Sequence, residues 1–298
     1  MQTTPSRKER LFCRFRRLIP GVLIIAVLGV PFSLHSGELT VDERFKLAEQ
    51  ALNDGNIEQG RAQLESILKT NPDDKEACNL LGNIALAQGQ FEQAKSYYDC
   101  ALNADPLFAE TYNNLGVLAL KQGNVEEAMT NFHAAVKIDP KRADAWYNMG
   151  QILMAAGQTK PAGEYLHRAI KADPTHSAAI HRLAILLISQ RRGDEAVKLL
   201  EESMEAVSEN PQILFLLATL LDDMGRNKEA AERYLQARAA GDRTPELPLY
   251  LAGVQIKLGQ EKAADKELRG ILSNGKADAV LKEKASALLK KLGDKGAR

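Results

Sequence analysis

The sequence is poor in aromatic residues and has no overall excess of either charge. Aromatic side chains make up 5% of the 298 residues, and the formal net charge is zero. Ala, Leu, Glu, Lys and Gln are frequent, and these residues favour helices. The composition therefore predicts helical layers rather than a β-rich fold. No dense Lys/Arg stripe follows the first 37 residues, so we expect no nucleic-acid partner.

Catalytic and cofactor motifs are also missing. The sequence contains no HExxH, GxSxG or GxGxxG pattern, which argues against metalloprotease, hydrolase and dinucleotide sites. Residues 270–277 match GxxxxGK, but Ala277 stands where a phosphate loop needs Ser or Thr for magnesium. We therefore predict no enzyme activity, no catalytic or metal site, no cofactor and no small-molecule substrate.

The three cysteines form no CxxC pair and no metal-ligand spacing. Cys78 and Cys100 could pair only if neighbouring helices align them. We interpret them as small apolar packing residues. Cys13 precedes the apolar run described next, so a lipid-modified cysteine at the end of an export signal is not supported.

The N-terminus has the pattern of an export segment. Residues 1–37 hold six basic side chains and one acid, which leaves the rest of the chain at about −5. A basic region over residues 1–17 precedes an apolar run over 18–34. The run is long enough for either a signal peptide or a retained membrane anchor over 18–36, and we favour the anchor. Charge asymmetry places the body of the protein on the non-cytoplasmic side.

A period of 34 residues governs the rest of the chain. Pro72, Pro106, Pro140 and Pro174 keep this spacing. Glycines keep the same interval at Gly55, Gly89, Gly123 and Gly157, and again at Gly225 and Gly259. The period predicts seven units without insertion, at 41–74, 75–108, 109–142, 143–176, 177–210, 211–244 and 245–278.

These units resemble the tetratricopeptide repeat (TPR), a pair of antiparallel helices. The family pattern is carried in unit three by Tyr112, Leu115, Gly116, Ala119, Ala128, Phe132, Ala135 and Pro140. In unit four it is carried by Trp146, Met149, Gly150, Leu153, Ala162, Leu166, Ala169 and Pro174. The resemblance implies an all-α, right-handed TPR α-solenoid of seven helix-turn-helix repeats.

Small and large residues alternate at fixed positions of the repeat. Gly82, Gly116 and Gly150 suit close approach of two helices, and Tyr98 and its equivalents fill the remaining volume. The equivalents of Tyr98 are Phe132, Leu166 and Tyr234. Turn glycines such as Gly89 are expected to need positive φ.

Several positions depart from this pattern. Arg191 replaces the turn glycine of unit five and Ser208 its boundary proline, which predicts a looser turn. Arg44 and Gly60 depart from the pattern in unit one, as residues of a terminal repeat often do. Pro211 and Pro245 are expected in the first turns of their helices.

The last units are followed by an amphipathic segment. Residues 279–293 alternate between an apolar face and a lysine-rich face, with Gly293 as a natural stop and 294–298 as a tail. We expect a capping helix that covers the last repeat. A basic amphipathic membrane helix is the alternative.

The resemblance also implies a binding surface. In TPR proteins the second, fifth, ninth and twelfth residues of each first helix line a concave groove, here with neighbouring sixth residues included. The candidates are Glu76, Asn79, Asn83, Glu110, Asn113, Asn114, Asp144, Tyr147, Asn148, Gln151, His181 and Phe215. Asparagine can pair with the backbone of an extended peptide, and the aromatic residues can anchor side chains.

The charges of this surface indicate the kind of partner. Some chaperone-binding TPR domains hold a peptide carboxylate with Lys and Arg, but Asp144 stands where Lys is needed. We therefore expect neutral or basic protein segments as partners. The predicted role is a non-catalytic scaffold in assembly of an envelope complex for pili, secretion or cytochrome maturation. An adaptor for an exopolysaccharide or glycosyltransferase system is the alternative.

Overall fold

The computed structural model describes residues 39–207 and 210–296, which form fifteen α-helices and no strand. The predicted export segment, Cys13 and Ser208 lie outside these residues. The helices are α1 Val41–Asn53, α2 Ile57–Thr70, α3 Lys75–Ala87, α4 Phe91–Ala104, α5 Ala109–Lys121, α6 Val125–Ile138, α7 Ala143–Ala155, α8 Thr159–Ala172, α9 Ser177–Ser189, α10 Gly193–Val207, α11 Pro211–Asp223, α12 Asn227–Ala239, α13 Leu247–Lys257, α14 Glu261–Ser273 and α15 Ala279–Gly296.

The helices pack as consecutive antiparallel pairs within two compact units, which meet in sequence after Leu118, inside α5. In the first unit α1 packs on α2, α3 on α4, and α2 on α3. In the second unit each odd-numbered helix from α7 to α13 packs on the next, and α9, α11 and α13 also contact one another in order. The all-α fold of paired helices is therefore confirmed, while the number of repeats stays a prediction.

None of the helices in the described part of the chain combines the length with the apolar character that a membrane span requires.

Local sequence signals set the helix ends. Thr40 and Glu43 form a reciprocal capping box at α1, and the Asp74 side chain accepts from the Ala77 amide at α3. Asn210 caps α11 in the same way and Pro211 occupies its first turn, as predicted. Pro245 does not start α13, so that prediction was wrong. The helix begins at Leu247, because Pro248 occupies the first-turn position where no amide donor is needed.

The turns inside the repeats share one backbone conformation. Gly89 and Gly123 have φ values of 73° and 82°, which confirms the predicted positive φ. Arg191 adopts the same conformation with φ 61°. Its turn keeps the hydrogen bonds from Arg191 N to Ile188 O and from Arg192 N to Leu187 O, both 2.9 Å. The prediction of a looser turn was therefore wrong, because the backbone bonds hold a non-glycine residue in the left-handed region.

The packing of small against large residues follows the predicted pattern. Tyr98, Phe132, Leu166 and Tyr234 are all 0% exposed. A Cβ atom added to Gly82 would lie 2.6 Å from Tyr98 Cδ1, and one added to Gly150 would lie 3.0 Å from Leu166 Cδ2. Gly60 serves the same purpose against Leu52, at 2.7 Å. Gly60 is thus a close-packing position of the first helix pair.

Helix α15 covers the end of the last helix pair. Leu281, Ala285 and Leu292 are buried in a cluster with α13 and α14 residues such as Ala252 and Leu268. The capping helix is therefore confirmed. Gly293 does not stop it, since α15 continues to Gly296. A glycine inside a helix costs about 1 kcal/mol but does not prevent the helix from continuing.

Cys78 and Cys100 form a disulfide between α3 and α4, with a Cα–Cα distance of 5.9 Å. The interpretation of these residues as unpaired packing residues was wrong. The antiparallel pairing of α3 and α4 brings the two Cα atoms within the range that a disulfide spans. The structure thus meets the alignment condition that the sequence alone left open.

Candidate functional site

The candidate residues lie on the first helix of each pair, namely α3 and α5 in the first unit and α7, α9 and α11 in the second. Their regular spacing follows from the repeat, because residues one period apart occupy equivalent positions on successive first helices.

In the first unit, Asn79 holds two first helices together. It is 1% exposed, and its Oδ1 atom accepts from Thr111 Oγ1 and Asn114 Nδ2, both at 3.0 Å. Its Nδ2 atom donates to Glu110 Oε1 at 3.0 Å. Asn79, predicted to line the groove, is thus buried between α3 and α5, where its amide makes three hydrogen bonds.

Asn83 and Glu76 remain accessible in the same unit. Asn83 is half-buried, and its Oδ1 atom accepts from the Tyr98 hydroxyl at 2.8 Å. Burial, with a smaller effect of Glu110, raises the pKa of Tyr98, so the hydroxyl stays protonated and donates this bond. Glu76 is exposed and lines a cavity of about 440 Å³ with Val41, Phe45 and Asp105.

In the second unit, Asp144 and Tyr147 of α7 meet His176, the N-terminal cap of α9. His176 Nε2 lies 3.2 Å from Asp144 Oδ1, and His176 Nδ1 accepts from the Ala179 amide at 3.1 Å. The neutral tautomer with its proton on Nε2 satisfies both bonds. The ring centroids of Tyr147 and His176 are 5.0 Å apart.

The pKa values of His176 and His181 are shifted in opposite directions. Burial lowers the pKa of His176, but the hydrogen bond and the charge of Asp144 outweigh it, so its pKa lies above the ordinary value. Burial, with the charge of Arg182, lowers the pKa of His181. His181 is therefore neutral at pH 7 and offers a half-buried polar ring on α9.

Phe215 lies in an aromatic cluster between α11, α12 and α13. Its ring contacts those of Tyr234 and Tyr250 edge to face, with centroid distances of 5.6 and 5.7 Å. Tyr234 and Tyr250 stack at 6.2 Å. Tyr234 is fully buried, whereas Tyr250 is 45% exposed. Two neighbouring first helices thus present aromatic rings on one side.

The other candidates, Asn113, Asn148 and Gln151, are half-buried on α5 and α7. Sequence reasoning missed Thr111, His176 and Tyr250. Thr111 directly follows the candidate Glu110, Tyr250 is the sixth residue of unit seven, equivalent to Asn114 and Asn148, and His176 immediately precedes a predicted first helix. A search that included flanking positions and the last unit would have found them.

Nothing in the described part of the chain forms a group of three or more His, Cys, Asp or Glu side chains placed to hold a metal ion.

Comparisons with known proteins agree with this architecture. Residues 41–288 match the family model of the cilia and flagella-associated protein 70 C-terminal domain, a TPR domain. No curated protein matches the chain.

Solved structures show the same fold. PilF of Pseudomonas aeruginosa is 20% identical with a TM-score of 0.59, covering 72% of this chain and 96% of its own. PilW, described as a widely conserved type IV pilus biogenesis factor, is 24% identical with a TM-score of 0.56, covering 72% and 100%. With the family match over residues 41–288, these similarities show that the chain belongs to the TPR family represented by the cilia and flagella-associated protein 70 C-terminal domain.

Proposed function

We propose that this TPR protein is a non-catalytic scaffold that binds extended segments of partner proteins on the side formed by its first helices. The observation that carries the proposal is the half-exposed aromatic surface of the second unit. Phe215 and Tyr250 present rings from two contacting first helices, and no residue of the described chain covers the exposed part of Tyr250. Aromatic side chains in such positions anchor protein partners.

The first unit supports the same interpretation in a different way. Its asparagines hold α3 and α5 in a fixed spacing through the buried amide of Asn79. A fixed spacing of first helices preserves the shape of the neighbouring surface and lowers the entropy cost of binding. We infer that the first unit contributes a rigid frame and the second unit the main anchors.

We further propose that the repeats work on the non-cytoplasmic side of a membrane. The basic and apolar N-terminal segment motivates this location. The Cys78–Cys100 pair supports it, because structural disulfides persist in oxidising compartments and are rare in the cytosol. The description of PilW as a pilus biogenesis factor makes assembly of an envelope complex a suitable hypothesis.

A cross-linking pull-down from membranes tests the proposed function. We expect Phe215→Ala with Tyr250→Ala to lose the main cross-linked partner. Leu235→Ala is the matched control, since Leu235 has the same 45% exposure as Tyr250 but lies on the second helix α12. Equal recovery of every partner by the double variant and the control would reject the surface of Phe215 and Tyr250 as the main binding site.

A further inference from the structure

Four residues of the second unit form what we call the aromatic site: Phe215 and Thr219 on α11, Tyr234 on α12, and Tyr250 on α13. Phe215, Thr219 and the exposed Asp223 are spaced four residues apart along α11. Glu246 and Tyr250 have the same spacing at the start of α13. Residues four apart share one face of a helix, so Glu246 lies one turn from the Tyr250 ring and Asp223 lies one turn from Thr219.

The hydroxyl of Tyr234 has no hydrogen-bond partner among the described residues, although Tyr234 is 0% exposed. Its repeat equivalent, Tyr98, donates to Asn83 at 2.8 Å. The residue equivalent to Asn83 is Thr219, whose Oγ1 atom bonds Leu216 O at 2.8 Å in its own helix. Buried hydroxyls are nearly always paired, so this unpaired donor indicates a missing acceptor at the aromatic site.

The charge beside the aromatic site is negative. Asp222 is already paired with Lys257, with 2.6 Å between Oδ1 and Nζ. Asp223 and Glu246 are exposed and have no ion-pair partner among the described residues. Arg243 is the exposed cation of the preceding loop. Glu246 lies one turn from the half-exposed Tyr250, and the charge of Asp223 acts on Tyr234, so these two exposed carboxylates favour a cationic ligand at the aromatic site.

We propose that the aromatic site binds an arginine or lysine side chain of an extended partner segment, whose backbone carbonyl accepts the hydrogen bond of Tyr234. The cation lies against Tyr250 and pairs with Glu246 or Asp223. This inference rests on the proposed scaffold function and specifies the chemistry of the ligand. Because the Tyr234 hydroxyl is buried, the side chains that cover it shift when the segment binds.

Other ligand types fit the aromatic site less well. An acidic segment would be repelled by Asp223 and Glu246. A purely apolar side chain would use the rings but would leave both carboxylates beside a desolvated surface without compensation. A basic residue satisfies the rings, the carboxylates and, through its own carbonyl, the Tyr234 hydroxyl.

Selection from a random dodecapeptide display library on the full-length protein in detergent tests this inference. We expect the selected peptides to be enriched in Arg and Lys. One selected peptide is then synthesised, labelled and measured by fluorescence anisotropy. Replacing its basic residue with leucine should weaken binding about fivefold, as expected for an exposed cation–π contact.

Variants of the protein identify the residues that contact the peptide. Tyr250→Ala and Glu246→Gln should each weaken binding of the basic peptide, while Leu235→Ala should leave its affinity unchanged. Tyr234→Phe removes only the hydroxyl. It should weaken binding of the basic peptide and of its leucine variant by the same factor, since both peptides have the backbone carbonyl that accepts the hydrogen bond. Circular dichroism of each variant establishes that the helices are retained.

The outcomes separate this inference from the proposed function. The selected peptides could show no enrichment in basic residues, and their affinity could be lowered by Tyr147→Ala but not by Tyr250→Ala. This result would reject the aromatic site as a cation site and leave the scaffold function intact. Selection of no peptide above an unrelated helical protein would count against both. Basic peptides that are insensitive to Tyr250→Ala and Glu246→Gln would also overturn the inference.

Discussion

At the scale of single residues, the repeats depend on positions where a side chain is missing. Gly82 allows the Tyr98 ring to pack directly on α3, and Gly60 allows the Leu52 side chain to pack on α2. Other helical glycines have no such neighbour: an added Cβ at Gly253 would meet nothing within 4 Å. The same residue type is therefore a packing requirement at one position and an entropic cost at another.

Alanine at these two positions should have opposite effects. Gly82→Ala places a methyl group against the Tyr98 ring and should lower the free energy of unfolding by about 2 kcal/mol. Gly253→Ala should raise it by about 0.5–1 kcal/mol, because alanine loses less backbone freedom in a helix. Urea unfolding followed by circular dichroism measures both. A destabilising effect of equal size at both positions would contradict this account of the packing.

Arg191 gives a second residue-scale prediction. It holds a φ of 61°, and its equivalent one repeat earlier, Gly157, has φ 72°. Replacing Arg191 with glycine removes the steric cost of a side chain in the left-handed region and should stabilise the protein by about 1 kcal/mol. The thermal unfolding midpoint should rise accordingly.

The reciprocal change, Gly157→Arg, is the control for this turn. It imposes the same steric cost on a turn of the same backbone geometry and should destabilise the protein by about 1 kcal/mol. Stabilisation by Gly157→Arg, or destabilisation by Arg191→Gly, would show that side-chain contacts outweigh backbone conformation in these turns.

At the scale of helix pairs, equivalent tyrosines differ in their hydrogen bonding. Tyr98 and Tyr234 are both fully buried on the second helices of their pairs. Tyr98 donates to Asn83, whereas the Tyr234 hydroxyl has no partner among the described residues. The pair of α3 and α4 is therefore joined by a side-chain hydrogen bond. In the pair of α11 and α12, the equivalent hydroxyl has no acceptor among the described residues.

Replacing Tyr98 and Tyr234 with phenylalanine compares the contributions of their hydroxyls to stability. Tyr98→Phe removes a formed hydrogen bond and should lower the free energy of unfolding by about 1 kcal/mol. Tyr234→Phe removes an unpaired buried hydroxyl and should leave stability unchanged or raise it by up to about 1 kcal/mol. Parallel urea titrations compare the two variants. Equal destabilisation would mean that Tyr234 has a partner in solution.

The helix pairs were largely predictable, and the contacts between them were not. A regular period fixes which faces are apolar, so the helix pairing and the buried positions of Tyr98 and Phe132 followed from spacing. Spacing also assigned Asn79 to the exposed groove, but it carries no information about which neighbours saturate a polar side chain. Thr111, Asn114 and Glu110 bury that amide instead.

At the scale of the whole molecule, the disulfide links the fold to the proposed location of the protein. Cys78 and Cys100 are separated by 22 residues and lie on different helices. Sequence spacing could not pair them, because their approach depends on the rotation of α3 against α4. Closing a loop of this length stabilises a protein by about 3 kcal/mol, chiefly through the unfolded state.

The oxidation state of these cysteines therefore tests the proposed location. If the repeats lie on the non-cytoplasmic side, the denatured protein from membranes should react with a polyethylene-glycol maleimide at no more than one cysteine, Cys13. After reduction, two further labels should appear. Cys100→Ser is the control, because it frees Cys78 and adds one label without reductant. Two further labels on the unreduced wild-type protein would show free thiols, as in a reducing cytosol, and would exclude the proposed location.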